Sequence, residues 1–158
     1  MYHLKISTHI NTGDNMEENI NALDEIHKGS CMGCDALKYV IEKVEDENFK
    51  DELEQEYDEY EKISKRIETI YSKYDKTGEP HKTSAMNKAM TWSEVEMNTL
   101  MDNSNSNIAE LLIKGVNMGI IEGRKIINKK KLDKEVEKLV SEYVEMQERN
   151  LEILKEYL

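Results

Sequence analysis

The chain is poor in the residues that punctuate β-rich folds, with one proline and seven glycines in 158 residues. An all-β fold needs a turn every few residues, so this supply excludes one. Cysteine is as scarce, and Cys31 and Cys34 alone cannot build a disulfide scaffold. Positive charge is also short: 22 Lys and Arg against 33 Asp and Glu leave a net charge of −11. Such a surface repels phosphate backbones and anionic membranes, so neither nucleic acid nor a membrane surface is an expected partner. The basic run is Lys129, Lys130 and Lys131, and it is short. No apolar stretch approaches the roughly 20 residues of a membrane span. The N-terminus lacks the basic-then-apolar order of a secretory signal, which makes the cytoplasm the expected location. Four histidines at 3, 9, 27 and 81 suggest no Ser-His-Asp arrangement.

What is present is helical in character. Charged residues make up 35% of the chain, and Glu and Lys dominate them, as on exposed helix faces. The aliphatic and Met residues are periodic enough to exclude disorder. One helical bundle is the expected outcome.

The segments "HKGSCMGCD" (27–35) and "IKGVNMGII" (113–121) share the pattern K-G-x-x-M-G at an offset of 86. At that offset residues 19–72 align with 105–158 without a gap, and 14 of the 54 pairs are identical. They include Lys28/Lys114, Gly29/Gly115, Met32/Met118, Gly33/Gly119, Glu56/Glu142, Tyr57/Tyr143 and Glu59/Glu145. Random pairing gives roughly 4, so an internal repeat is expected.

Each unit reads as a helical hairpin. In the first helix, Ile20, Leu23, His27, Ser30, Cys34, Leu37, Ile41 and Val44 recur at spacings of three and four, the signature of one helical face. Beside it runs Ala22, Ile26, Gly29, Gly33, Ala36 and Val40, with Ile108, Leu112, Gly115, Gly119 and Ile126 in the second unit. Small residues four apart let helices approach closely. The expectation is a crossing in which Gly29 and Gly33 face Gly115 and Gly119, with Met32 and Met118 filling the space beside it. The second helices carry Phe49, Leu53, Tyr57, Tyr60, Ile63 and Ile67, and Leu132, Val136, Leu139, Tyr143 and Met146. Asp46, Asp133 and Ser104 are candidate N-caps.

The predicted helices are 16–44, 48–74, 85–101, 105–129 and 133–157. The helix at 85–101 lies within a connector, 73–104. An unbroken helix over 85–130 would be near 70 Å long, too long for this chain, so a crossover helix is expected. Residues 2–10 alternate as a strand would, closed by Thr12-Gly13-Asp14, so residues 1–15 are expected as a tail or lone strand and 16–158 as the bundle.

Two repeated hairpins joined by a crossover resemble the ferritin-like four-helix-bundle superfamily, in a bacterial branch built on the duplicated hairpin. The resemblance covers residues 19–158 at the level of architecture. In the di-metal members each first helix supplies a Glu and each second helix a Glu-x-x-His. This chain offers Glu56-x-x-Glu59 and Glu142-x-x-Glu145. It has no Glu-x-x-His, and no carboxylate lies on the core stripe at the matching level of either first helix. The resemblance therefore implies iron or manganese only as an alternative, and the four Glu read as helix-surface charges paired with Lys, Arg, Tyr or solvent.

His27, Cys31 and Cys34 share a helix face, with Glu61 level with Cys31 across the hairpin. They form an alternative zinc set, although the matching residues of unit two are Ile113, Asn117, Ile120 and Gln147. Ser64, Asn117, Gln147 and Asn150 fall on or beside inward stripes, where amides form a polar network or line a ligand space. The leading expectation is a non-enzymatic bundle, without a cofactor, that acts through protein contacts or as a homodimer. A metal-binding or redox protein and a small-ligand carrier using the bundle interior are the alternatives.

Overall fold

Residues 12–75, 102–129 and 131–158 are described by a computed structural model. They form four helices: α1 (Thr12–Ile41), α2 (Glu47–Tyr71), α3 (Asn105–Lys129) and α4 (Lys134–Lys155). No strand occurs among the described residues, so the all-helical expectation holds. The strand-like residues 2–10 and the predicted helix 85–101 lie outside the described residues. Thr12-Gly13-Asp14, read as closing a strand, lies instead in the first turn of α1.

Local chemistry fixes the helix ends. Asp46 caps α2, its carboxylate accepting from Phe49 N at 2.9 Å. Ser104 Oγ accepts from Asn107 N at 3.3 Å at the start of α3. Asp133 precedes α4 but makes no side-chain cap. Its carboxylate instead accepts from Asn15 Nδ2 at 2.8 Å and from Tyr74 Oη at 2.7 Å. The Asp133 N–H donates to Asn19 Oδ1 at 2.9 Å. Chiefly the Tyr74 hydroxyl, then the Asn15 amide, holds the Asp133 carboxyl below its ordinary range.

That knot fixes the topology. It gathers the start of α1, the end of α2 and the α3–α4 turn at one end of the bundle. At the other end the rings of Phe49 and Tyr157 stack at 4.1 Å. Hence α1 runs antiparallel to α2 and α3, and α4 runs antiparallel to α2 and α3. Packing is most extensive within the pairs α1–α2 and α3–α4; α1 also meets α3 and α4, and α2 meets α4.

The core is the apolar stripe of each helix: Leu23, Ile26, Leu37 and Val40; Phe49, Leu53, Ile67 and Tyr71; Ile108, Leu112 and Val116; and Leu139, Val140, Tyr143 and Leu154. Removing these side chains from water is the main favourable term in folding. Ion pairs cross the outside, Arg66–Glu142 and Arg149–Glu59 between α2 and α4, and Arg124–Glu148 between α3 and α4. They are exposed, and each adds little.

Candidate functional site

The glycine faces of α1 and α3 lie opposite one another but do not close into a tight crossing. What packs onto them comes from the second helices. A methyl group built on Gly33 would lie 2.6 Å from Tyr60 Cζ and 2.8 Å from both flanking ring carbons. One built on Gly29 would collide with the Tyr143 hydroxyl. One on Gly119 would lie 2.9 Å from Gln147 Nε2 and 3.0 Å from Tyr143 Oη. Gly115 has nothing within 4 Å of such a group. Gly29, Gly33 and Gly119 are therefore notches for two tyrosines and a glutamine. Nor does Met118 fill a crossing; it is 47% exposed.

Because tyrosines rather than backbone occupy the notches, α1 and α3 stand apart around a pocket of about 170 Å³. Its walls are mostly apolar: Ile26, Met32, Leu37, Leu111, Leu112, Val116 and Ile126, with all four paired glycines. The polar groups are few. Glu56, Tyr60, Tyr143 and Gln147 come from α2 and α4, and Glu25, Lys28 and Glu122 complete the lining.

The Tyr60 hydroxyl donates to Gln147 Oε1 at 2.7 Å. The Gln147 amide and the Tyr143 hydroxyl both lie against Gly119. Burial drives the Tyr60 phenol well above its usual range and holds the Tyr143 phenol up at about 12, so both are neutral donors at physiological pH. Glu56 is the exception in this set. It is 3% exposed, and its Oε1 has no hydrogen-bond partner. Burial, and behind it the charges of Glu59 and Glu52, raises its carboxyl to about 8.

Glu56 thus corrects an expectation. Among the described residues it pairs with no Lys, Arg or Tyr; it is a buried acid, and one of its oxygens has no hydrogen-bond partner. Its position explains this, since Leu53, Glu56, Tyr60, Ile63 and Ile67 lie on one helical stripe and all are buried. Glu142 does behave as expected, paired with Arg66. Glu59 meets Arg149, with 3.6 Å between charged atoms, and Glu145 is exposed.

The remaining candidates scatter. Cys31 Sγ lies 3.8 Å from both ring nitrogens of His27, whose Nε2 lies 3.7 Å from Glu68 Oε1. Glu61 accepts from the Tyr57 hydroxyl at 3.2 Å. Burial, then the charges of Cys31 and Glu61, raises the Cys34 thiol to about 11, which leaves it protonated and a poor ligand at neutral pH. Among the described residues no group of three or more His, Cys, Asp or Glu side chains is placed to hold a metal ion.

Of the predicted polar lining, Gln147 and Asn150 are buried, and Ser64 is half-buried. Asn150 Nδ2 has no partner. Asn117 is exposed, because the buried stripe of α3 runs through Ile108, Leu112, Val116 and Gly123 and passes it by.

Comparison of the chain with protein-family models, with curated proteins and with solved structures finds no match.

Proposed function

We propose that this helical bundle binds a small, largely apolar molecule in the pocket between α1 and α3. One observation carries the reading: an apolar cavity with few polar groups in its lining, among them the buried Glu56, one of whose oxygens has no partner. Small-molecule sites have this composition, apolar walls with a few placed polar groups. A buried acceptor without a partner costs about 1–3 kcal/mol, a cost that a ligand donor removes. An apolar cavity of roughly 150 Å³ is already enough to hold benzene.

The bundle is read as ferritin-like in its order of helices, with this pocket in place of a di-metal centre. The order of the two hairpins and the antiparallel pairing of α1 with α3 support that reading.

Titration of the full chain with propylbenzene, followed by the ring resonances of Tyr60 and Tyr143, tests the pocket. Saturable shifts are expected, and Gly115→Leu should abolish them by growing a side chain into the open space beside Gly115. Unsaturable shifts, or shifts indifferent to Gly115→Leu, would reject the pocket.

A second reading, self-association through α3, is favoured by Met118 and Ile121, which are 47% and 52% exposed. Equilibrium sedimentation of Met118→Lys and Ile121→Lys should then show a weakened dimer. A wild-type chain that stays monomeric at high concentration would exclude it.

A further inference from the structure

The polar groups of the pocket restrict what chemistry can enter it. We propose that the pocket takes a small primary amine with an apolar body of about one ring, its ammonium seated on the Glu56 carboxylate. The proposal rests on the small-molecule reading above and names the ligand class.

The charge around the cavity argues first. Its ionisable lining includes the carboxyls of Glu25, Glu56 and Glu122 against one ammonium, Lys28. The whole chain carries −11. An anionic ligand would have to enter against this field, whereas a cation is drawn in by it. A wholly apolar ligand would leave Glu56 Oε1 as it stands, buried and unbonded. An ammonium supplies both donors and the opposite charge. Buried carboxylates persist when they are paired in this way. The size of the cavity, about 170 Å³, limits the apolar body to about one ring.

Proton bookkeeping gives the proposal a distinct signature. Empty, the Glu56 carboxyl is raised to about 8, so at pH 7 it mostly holds its proton. An entering ammonium favours the carboxylate, and the proton leaves to solvent. Affinity should therefore rise with pH up to about 8 and level off above it.

The groups facing Glu56 do not blur this signal. Glu52 and Glu59 on its own helix push its carboxyl upward. Tyr60 beside it, Tyr143 from α4 and Cys34 from α1 all titrate above this range. Glu25, Lys28 and Glu122 line the cavity from α1 and α3.

The test is isothermal titration of the full chain with 2-phenylethylamine and with its neutral isostere propylbenzene. Each titration is run at pH 6, 7 and 8 and, at pH 7, in two buffers of different ionisation enthalpy. The amine is expected to bind at least about tenfold tighter than propylbenzene at pH 8. It should release close to one proton at pH 7, and weaken by up to about tenfold per pH unit below 8. Glu56→Gln, of nearly the same shape, should erase the preference, the proton release and the pH dependence together.

Equal binding of the two probes by the wild-type chain would overturn the amine class while leaving the pocket reading intact. So would amine binding that Glu56→Gln leaves unchanged. Failure of both probes to bind would overturn the pocket reading and this inference with it.

Discussion

The two hairpins carry the same residue at many positions 86 apart, yet the matched residues meet different surroundings. Glu56 is buried without a partner for one oxygen, while Glu142 lies at the surface against Arg66. Tyr57 is half-buried and bonds to Glu61 on its own helix, with the Lys38 ammonium 5.7 Å from its ring centre. Tyr143 is buried, its hydroxyl set between Gly29 and Gly119. Gly29 and Gly33 each receive a tyrosine, whereas Gly115 faces open space. The unmatched neighbours decide these outcomes. Ile63, which pairs with Arg149 at this offset, keeps the Glu56 side of α2 apolar. On α4 the buried face widens to take in Val140, Tyr143, Val144 and Gln147 beside Leu139 and Met146, and Glu142 is half-buried against Arg66. An identical letter at matching positions is therefore a weak guide to function here.

The largest effect expected from this contrast is on the pH dependence of stability. The Glu56 carboxyl is raised to about 8 in the folded chain against an ordinary 4.5. Between those values the folded chain holds a proton that the unfolded chain has lost, so stability falls as pH rises. The slope is about 1.4 kcal/mol per pH unit for this one group. From pH 5.5 to 7.5, Glu56 should cost the wild-type chain on the order of 2–3 kcal/mol that Glu56→Gln is spared. Urea midpoints of the two proteins at both pH values measure this. A Glu142→Gln slope as altered as that of Glu56→Gln would break the contrast.

Next comes the Gly33 notch. Gly33→Leu should cost about 2 kcal/mol, because the Tyr60 ring already lies where the first added carbon would go. In a double-mutant cycle with Tyr60→Ala the cost should shrink, since the space is then free. Thermal melts that show additive losses would mean that Gly33 is constrained by something other than Tyr60.

A smaller effect separates the two hairpin turns. Asp46→Ala removes the cap bond to Phe49 N and should cost about 1 kcal/mol, which Asp46→Asn should largely restore. Asp133→Ala removes no cap; it frees Asn15 and Tyr74. Its loss should therefore shrink in a Tyr74→Phe background, while that of Asp46→Ala should not.

How much of this was legible in the sequence follows from what local spacing encodes. Helix type, the α2, α3 and α4 starts and the Asp46 and Ser104 caps follow from periodicity and end chemistry, which act within a turn or two. The burial of Glu56 was not decided by spacing, since Glu142 sits likewise between buried Leu139 and Met146 and is only half-buried. The charge of both argued for the surface, and the difference between them lies in neighbours such as Ile63 and Arg149. The glycine faces were legible as places of close approach, but not their occupants. Gly29 meets a hydroxyl 114 positions away on Tyr143, and no local spacing encodes that pairing. The pocket is a consequence of those long-range pairings, so it was not legible as a volume.

The smallest effect expected is a gain at Gly115. Glycine inside a helix costs roughly 1 kcal/mol relative to alanine, because the unfolded chain has more freedom to lose. At Gly29 that cost is unavoidable, since any added carbon meets the Tyr143 hydroxyl. At Gly115, the position matched to it, an added methyl meets no atom within 4 Å. Gly115→Ala should therefore stabilise the chain by about 0.5–1 kcal/mol, raising its melting temperature by about 1–4 °C. Gly29→Ala should lower it. The alanine methyl is too small to fill a cavity of about 170 Å³, so Gly115→Ala should still bind 2-phenylethylamine. A Gly115→Ala protein less stable than wild type would mean that the face beside Gly115 is already covered. The two glycines would then be equivalent after all, and the asymmetry that leaves room for a ligand would be lost.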